Sequence, residues 1–344
     1  MASVDRTSLM KFRRNHAVII GIDDYHRSVG KLSTPVADAR RFKDILIRQQ
    51  GFKEQDIHFL EDPTKADIEV LLQQLSTSRR TANQPNPDPV FDISQEDCLI
   101  FYYAGHGLAG DLPEEGEEKG PAGYLLPKDT SLQTAKLSEN TTLIKMEQVF
   151  DALDAMNAHH TLLILDCCFA GTFRRVNQTR GQTGLAFRPM TETRFERYKT
   201  KRAWQVLASS GPAEKAADWI GERGDDSGDR QGQGKLRAMH SPFAMALFEA
   251  LGGMGNIDVK PPGKGLGDGV ITSSELFLYL HDRVERITRK DDGFKPQNPS
   301  LFPLGKDDGG QFIFIDPRHP RNDPDWATLR RANPYKGLEQ FDIE

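Results

Sequence analysis

The sequence predicts an α/β fold with a mainly parallel sheet that is covered by helices on both faces. Two observations lead to this prediction. Short apolar runs rich in β-branched and aromatic residues alternate along the chain with longer segments whose apolar residues recur at helical spacing. The short runs are apolar almost throughout, which is typical of strands buried between two helical layers. In such sheets, sites form beyond the carboxyl ends of the strands.

Six segments are predicted to be strands: 15–22, 56–61, 97–104, 161–165, 204–208 and 311–315. Five are predicted to be helices: 36–50, 66–76, 144–156, 242–251 and 273–287. The last helix carries a start signal, with Thr272 or Ser273 as N-cap and Glu275 in the first turn. Segments rich in Pro, Gly or Asp predict loops at 84–89, 108–120 and 221–234.

The composition narrows the class of protein. The 344 residues are 37% hydrophobic and 28% charged, which is polar for a globular protein but sufficient for a core. A net charge of −5 argues against a general nucleic-acid binder. No apolar run approaches the roughly 18–20 residues of a membrane span, and residues 1–14 lack the apolar core of a signal peptide. We therefore expect a cytoplasmic protein that binds neither nucleic acid nor membrane directly.

The cysteines favour thiol chemistry over a disulfide framework. The chain has three, and Cys167 and Cys168 are adjacent, so the count is odd and the spacing unsuited to paired bridges. A reducing compartment is the simpler interpretation. Cys98 lies inside a predicted strand and is interpreted as a small core residue. No Cys/His spacing indicates zinc, so no metal ligands are assigned.

Two predicted strand ends carry residues suited to nucleophilic catalysis. His106 lies between Gly105 and Gly107 after one strand, and Cys168 follows another. A histidine can take the proton of a thiol near neutral pH and then protonate a leaving amine. Either residue alone is more often structural, but both at parallel strand ends predict a catalytic pair. Thiol chemistry by itself leaves open whether Cys167 or Cys168 reacts.

The same segments also predict an oxyanion hole. Gly105 and Gly107 have no side chains, so backbone can approach a substrate beside His106. An oxyanion hole needs backbone N–H groups that face the attacked carbonyl. We expect the N–H groups of Gly107 and Cys168 to form it.

The residues around both positions resemble the caspase–metacaspase superfamily, in particular bacterial caspase-like proteins of the peptidase C14 type. Residues 102–107, Tyr-Tyr-Ala-Gly-His-Gly, are similar to the histidine motif of that family. Residues 166–171, Asp-Cys-Cys-Phe-Ala-Gly, are similar to the metacaspase motif Asp-Ser-Cys-x-x-Gly. This match places Cys167 at the Ser position and implies that Cys168 is the nucleophile. Segments 17–22 and 208–218 also resemble the family.

The resemblance implies a fold and a domain organisation. The implied fold is a caspase-like three-layer αβα sandwich with a six-stranded, mostly parallel sheet. Proteins of this family usually act without a third catalytic residue. The expected peptidase domain is 1–316. Within it, the resemblance implies a large-subunit-like region at about 12–173, a linker at about 174–202 and a small-subunit-like region at about 203–316. Residues 317–344 are expected to be a second linker that follows the domain. Residues 333–341 resemble the opening of a STAND-type NTPase module. The resemblance therefore implies a covalently linked C-terminal sensor, with a role in bacterial defence or programmed cell death.

The charges near the nucleophile predict the substrate. Asp166 lies two residues before Cys168, and the segment after the next strand supplies Glu214 and Asp218. Paired carboxylates in a pocket favour a cationic side chain, so we expect protein or peptide substrates cleaved after Arg or Lys. The segment departs from the metacaspase pattern, which leaves open whether Glu214 or Asp218 reaches the pocket. The alternative is that both are solvated loop charges.

The linker after the cysteine motif is strongly basic. Residues 172–202 contain nine Lys or Arg residues and two Glu residues. In the superfamily this region is often cut during activation, so self-cleavage is expected after basic residues such as Arg174, Arg175, Arg180 and Arg188. The alternative is an uncut surface loop.

Other hypotheses compete with an active endopeptidase. A catalytically silent caspase-like interaction module is one, although silent relatives usually lose the histidine or the cysteine. A separase-like or CHAT-like protease is another, although those lack the acidic residue two before the cysteine in this form. No cofactor is expected. Acidic clusters at 111–118 and 225–229 leave calcium open, while 267–275 lacks the alternating Asp/Asn ligands of an EF-hand.

Overall fold

The computed structural model describes residues 12–78, 91–110, 123–132, 137–168, 197–198, 200–211, 240–255, 257, 269–289 and 297–318. The strands in these ranges are β1 (Asn15–Gly21), β2 (Ile57–Glu61), β3 (Cys98–Ala104), β4 (Gly107–Ala109), β5 (Gly123–Leu125), β6 (Ile144–Lys145), β7 (His160–Asp166), β8 (Trp204–Ala208), β9 (Val270–Thr272), β10 (Ser300–Pro303) and β11 (Ile313–Ile315). The α-helices are α1 (Pro35–Arg48), α2 (Lys65–Thr77), α3 (Met146–Ala155), α4 (Pro242–Leu251) and α5 (Ser273–Thr288).

Six strands form the central sheet, in the order β10-β8-β7-β3-β1-β2. Every neighbouring pair is parallel except β10 and β8, which are antiparallel. The predicted six-stranded, mostly parallel sheet is therefore confirmed. Its carboxyl edge collects the ends of β1, β3, β7 and β8, which is where a site is expected in such a sheet.

Helices cover both faces of this sheet. Because alternate residues of a strand point to opposite faces, β3 sends Leu99 and Phe101 into a core with α2 and α3. It sends Ile100 and Tyr102 into a second core with α1, α4 and α5. All seven residues of β3 are buried, as expected for a central strand whose sequence is apolar on both faces. The three-layer αβα sandwich predicted for the chain is confirmed.

Several short elements differ from the sequence prediction. The helix predicted at 144–156 begins at Met146, because Ile144–Lys145 pairs with β5 as β6. Part of the loop predicted at 108–120 belongs to β4, which also pairs with β5. The sixth strand of the central sheet is β10, which the sequence analysis missed, while β11 pairs with β9 outside that sheet. Strands of two to four residues depend on a distant partner rather than on a local pattern.

The predicted start of the last helix is confirmed at atomic detail. Thr272 is the N-cap of α5, and its hydroxyl oxygen accepts from the Glu275 N–H. The Glu275 carboxylate accepts in return from the Thr272 N–H at 2.8 Å. This reciprocal capping box satisfies two helix N–H groups and stabilises the helix by about 1 kcal/mol. Among the described helices, none is long and apolar enough to cross a bilayer.

The edge of the sheet opposite the predicted site buries two histidines, His16 in β1 and His160 in β7. The His160 Nε2 lies 3.0 Å from the Lys201 carbonyl oxygen, so this nitrogen donates. Burial lowers the pKa of His160 to about 3, with a further contribution from neighbouring His159. Burial also lowers the pKa of His16. Both rings are therefore neutral in the native state at physiological pH.

These histidines predict a loss of stability in mild acid. The unfolded chain binds a proton at each ring near the ordinary pKa of 6.5, whereas native His160 does not until about pH 3. Protonation therefore favours unfolding by about 1.4 kcal/mol per pH unit between these values, or about 2 kcal/mol for His160 from pH 7 to pH 5. Urea unfolding of His160→Gln, which keeps a donor for Lys201, is expected to lose about 2 kcal/mol less over that interval. If His160→Gln lost as much free energy of unfolding as the wild type between pH 7 and pH 5, the assignment of a neutral, buried His160 would be wrong.

Candidate active site

The register of two central strands brings both predicted catalytic residues to one edge of the sheet. β3 and β7 are parallel neighbours, and Ala104 pairs with Asp166 at their carboxyl ends. The Gly105 N–H donates to the Asp166 carbonyl at 3.2 Å, so the pairing extends one residue beyond β3. His106 and Cys168 each lie two residues past the paired position. The structure thus places them at equivalent points of adjacent strand ends.

The His106 ring is oriented by a backbone carbonyl. Its Nε2 lies 3.1 Å from the Gly30 carbonyl oxygen. Because a carbonyl oxygen only accepts, Nε2 carries the ring proton in the neutral imidazole. Nδ1 is then the basic nitrogen, the role that an acid/base partner of a thiol requires.

Two buried tyrosines hold the backbone of His106. The Tyr25 hydroxyl accepts from the His106 N–H at 2.8 Å, and its ring centroid lies 4.7 Å from the imidazole. The Tyr103 hydroxyl donates toward the His106 carbonyl at 2.8 Å. A Cβ at Gly105 would overlap the Tyr25 hydroxyl and approach that of Tyr103. The sequence pattern does not identify Tyr25 as a site residue, and its one signal is its position just after the first strand.

Exposure distinguishes the two adjacent cysteines. Cys167 continues the pleat of β7 into the core with α2 and α3 and is 1% exposed. Burial raises the pKa of its thiol well above the ordinary value, and nearby charges add to the effect. Cys168 is partly exposed. A substrate can reach only a thiol that is open to solvent, so the geometry supports Cys168 as nucleophile, in agreement with the motif.

The backbone around Gly107 suits an oxyanion hole. The Leu126 N–H donates to the His106 carbonyl, so the Gly107–Leu125 pair of β4 and β5 is of the non-hydrogen-bonded kind. The Gly107 N–H therefore points away from β5. A Cβ at Gly107 would lie 2.7 Å from the Cys168 carbonyl oxygen, which explains why glycine occupies this position.

A serine just beyond β8 orients the other expected oxyanion donor, the Cys168 N–H. The Ser210 hydroxyl, just beyond β8, donates to the Cys167 carbonyl at 3.2 Å. That carbonyl and the Cys168 N–H belong to one planar peptide group and point in opposite directions. Anchoring the carbonyl therefore fixes the direction of the Cys168 N–H. Ser210 lies in segment 208–218, which resembles the family, but the sequence alone predicts no role for it.

Two carboxylates lie close together at this edge of the sheet, Asp166, which the sequence predicts as a site residue, and Asp38, which it does not. Asp166 is buried, and its Oδ2 accepts from the Ser241 hydroxyl at 2.5 Å. Asp38, in the first turn of α1, accepts from the Ser241 N–H at 3.2 Å and from His240 Nδ1 at 2.6 Å. Burial raises the pKa of Asp38 to about 6. Ser241 therefore joins the two carboxylates, because its N–H donates to Asp38 and its hydroxyl donates to Asp166.

The remaining predicted site residues lie outside the described part of the chain. They are the pocket candidates Glu214 and Asp218 and the cleavage candidates Arg174, Arg175, Arg180 and Arg188. The acidic segments at 111–118 and 225–229 and the STAND-like segment at 333–341 also lie outside it. The roles of these residues, the calcium question and the proposed division at 174–202 stay predictions.

Fold and site together define an αβα domain of the caspase type, with a histidine and a cysteine at neighbouring strand ends of its sheet. The family model of the caspase domain, Peptidase C14, matches residues 14–260. The chain therefore belongs to the caspase-domain peptidase family.

Two curated metacaspases are similar in sequence. Metacaspase-1 of Kluyveromyces lactis is 24% identical over 206 residues, which are 58% of this chain and 40% of that protein. Metacaspase-6 of Arabidopsis thaliana is 31% identical over 121 residues, 34% of this chain and 30% of that protein. The chain thus spans less than half the length of either relative.

Solved structures show more distant similarity. A Geobacter sulfurreducens protein has 16% identity and a TM-score of 0.46, with 86% of this chain and 95% of that chain covered. Caspase-1 from Spodoptera frugiperda has 12% identity and a TM-score of 0.43, with 88% and 92% covered. Family membership rests on the sequence match rather than on these superpositions.

Proposed function

We propose that the protein is a cysteine endopeptidase that cleaves after Arg or Lys, with Cys168 as nucleophile and His106 as acid/base. The observation that carries this proposal is the strand-end geometry. A partly exposed Cys168 and an oriented His106 follow the paired residues Ala104 and Asp166, above two buried carboxylates.

The proposed reaction follows from the roles of these groups. His106 Nδ1 takes the Cys168 proton, and the thiolate attacks the carbonyl carbon of the scissile bond. The N–H groups of Gly107 and Cys168 stabilise the oxyanion that forms. The imidazolium then protonates the leaving amine as the C–N bond breaks. Water, activated by His106, hydrolyses the thioester and restores the thiol.

The two carboxylates support the choice of a cationic substrate residue. Asp166 lies two residues before the proposed nucleophile Cys168. A pocket that includes Asp166 is therefore next to the scissile bond. Asp38 adds a second carboxylate, joined to the first through Ser241. Buried carboxylates favour a guanidinium or ammonium group over a neutral or acidic one. Ser241 and His240 supply the neighbouring hydrogen bonds.

A peptide panel tests the proposed specificity. Fluorogenic peptides that differ only in the residue before the scissile bond are compared: Arg, Lys, citrulline and Asp. We expect kcat/KM for Arg to exceed that for citrulline, its uncharged near-isostere, by at least about 100-fold, because a buried charge pair is worth several kcal/mol. A preference for Asp over Arg would refute the specificity. Absence of turnover with every peptide would instead favour the interaction-module alternative.

Self-processing and gating are further parts of the proposal. The basic segment 174–202 offers cleavage sites to an enzyme that cuts after Arg or Lys. Incubated wild-type protein is expected to yield fragments ending at basic residues of this segment, whereas Cys168→Ala stays intact by mass. Identical intact masses would remove self-processing. A STAND-type sensor region linked to the C-terminus, in a reducing cytoplasm, is the proposed context for gating.

A further inference from the structure

The thiol of Cys167 lies beside the proposed nucleophile, although the proposed reaction does not use it. Cys167 and Cys168 are consecutive in the chain. A Cβ built at Gly107 would lie 3.0 Å from the Cys167 Sγ and 2.7 Å from the Cys168 carbonyl oxygen. The Cys167 sulfur is therefore packed against the glycine whose N–H is an expected oxyanion donor, next to the place where Cys168 reacts.

The two adjacent thiols differ in what can reach them. Cys168 is partly exposed, whereas Cys167 is buried. Burial raises the pKa of the Cys167 thiol well above its ordinary value, and the charge of a Cys168 thiolate raises it further. Cys167 therefore stays a protonated thiol, and a dissolved oxidant reacts first with Cys168. An exposed, reactive cysteine next to a second thiol is the arrangement of a redox-sensitive cysteine and its resolving partner.

The third cysteine of the chain cannot take part. Cys98 begins β3, at the end of the sheet opposite to the proposed active site, and its side chain belongs to the core with α1, α4 and α5. Its Sγ donates to Asn15 Oδ1 at 3.1 Å. A strand of seven residues spans about 20 Å, which is far beyond the reach of a disulfide. Cys167 is therefore the one thiol of the same chain that is available to Cys168.

We propose that Cys167 is a resolving cysteine, which forms a reversible disulfide with Cys168 when a hydroperoxide oxidises the nucleophile. This inference rests on the proposed role of Cys168 as nucleophile. The Cys168 thiolate attacks one oxygen of the hydroperoxide, the O–O bond breaks, and the leaving oxygen takes a proton from the His106 imidazolium. Two electrons pass from the sulfur to the peroxide, which leaves a sulfenic acid at Cys168.

The second step of the proposed modification consumes the thiol of Cys167. Its sulfur attacks the sulfenic sulfur of Cys168 while its proton passes to the departing hydroxyl. An S–S bond forms, the S–O bond breaks and water leaves. The disulfide protects Cys168 from further oxidation to a sulfinic acid, which thiols do not reduce.

The short backbone between the two cysteines makes this disulfide both inactivating and easily reduced. Adjacent Cα atoms are about 3.8 Å apart, closer than the roughly 4.4–6.8 Å of most disulfides, and a strained disulfide is more reducible. Closing the bond also turns the peptide group whose carbonyl accepts from Ser210 at 3.2 Å. The oxidised protein therefore loses its nucleophile and one expected oxyanion donor, and reduction by a small thiol restores both.

Peroxide treatment of the folded protein tests the role of Cys167. Wild type, Cys167→Ser and the matched control Cys98→Ser, which keeps a donor for Asn15, are treated with excess hydrogen peroxide and then with dithiothreitol. All three are expected to lose activity toward an Arg peptide at similar rates. Dithiothreitol is expected to restore wild type and Cys98→Ser almost fully but Cys167→Ser to less than about one tenth, because an unresolved sulfenic acid is oxidised further. Equal recovery of wild type and Cys167→Ser would overturn the inference.

Mass mapping of the wild type gives a readout that depends neither on activity nor on the folding of a variant. After peroxide treatment, free thiols are blocked with N-ethylmaleimide under denaturing conditions and the protein is digested. The peptide that contains Cys167 and Cys168 is expected to have lost two hydrogens and to carry no label, and to carry two labels when dithiothreitol precedes the blocking. A peptide that has gained oxygen at Cys168 while Cys167 is labelled would overturn the inference.

The two measurements separate this inference from the proposed function. A protein that cleaves no peptide before oxidation contradicts the proposed endopeptidase, and its cysteine peptide still shows whether the disulfide forms. An active enzyme that peroxide inactivates while Cys167 remains a free thiol contradicts only the resolving role of Cys167.

Discussion

Replacing Cys168 by Ala is expected to reduce kcat/KM for an Arg peptide by at least about 10⁴-fold, because loss of a nucleophile removes the covalent route altogether. Cys167→Ser is expected to retain activity within about threefold. The Cys167 side chain is buried in the core beside α2 and α3, and burial keeps its thiol protonated by raising its pKa. Peptide kinetics of the two purified variants make the comparison.

Comparing Cys168→Ala with Cys167→Ser also shows which of the two thiols is the nucleophile. Each variant removes one of the two adjacent sulfur atoms, so together they compare the two thiols directly. Alkylation with iodoacetamide followed by mass mapping gives a second readout, with fast labelling at Cys168 in wild type and in Cys167→Ser. Activity that survives in Cys168→Ala but disappears in Cys167→Ser would transfer the nucleophile to Cys167.

The sequence predicted the large elements because their signals are local. Continuous apolar runs identify β1, β3 and β7, and the Thr272–Glu275 box identifies the start of α5. The rule that sites form at the carboxyl ends of parallel strands then placed two motifs together without any contact information. The short strands β4 to β6 had no such signal, because they exist through pairing with segments distant in the chain.

The alternation of side chains along β7 in the structure distinguishes the two adjacent cysteines. Leu163 and Leu165 face α2 and α3, and alternation carries Cys167 to the same core. A sequence pattern shows alternation but not which face is covered, since both faces of β7 are buried. The family motif implies Cys168 as nucleophile, and the burial of Cys167 favours the same choice.

The carboxylate of Asp38 illustrates what a sequence pattern does not reveal. An acid in the first turn of a helix is ordinarily explained by the helix dipole, and Asp38 occupies that position in α1. Its actual partners, His240 and Ser241, lie more than 200 residues away and reach it only because α1 and α4 pack on the same face of the sheet. The sequence does not reveal the role of Tyr25 either, because its partner His106 lies 81 residues away in the chain.

Asp166→Asn is expected to lower kcat/KM for an Arg peptide by about 100- to 1000-fold while changing the citrulline peptide by less than about threefold. The substitution preserves shape and leaves an oxygen that accepts from Ser241, but it removes a charge from a buried site. Losing one partner of a desolvated charge pair costs about 2–5 kcal/mol, and about 1.4 kcal/mol corresponds to a factor of ten. The quantity measured is the ratio of the two kcat/KM values.

This ratio separates specificity from damage to the catalytic centre. Asp166 lies two residues from Cys168, and its carbonyl accepts from the Gly105 N–H, so a distorted strand end would slow both peptides equally. A parallel loss for Arg and citrulline would therefore assign Asp166 a structural role at the end of β7. A selective loss for Arg would identify its carboxylate as the group that recognises the basic side chain. Asp38, joined to Asp166 through Ser241, would then be the second carboxylate of that recognition site.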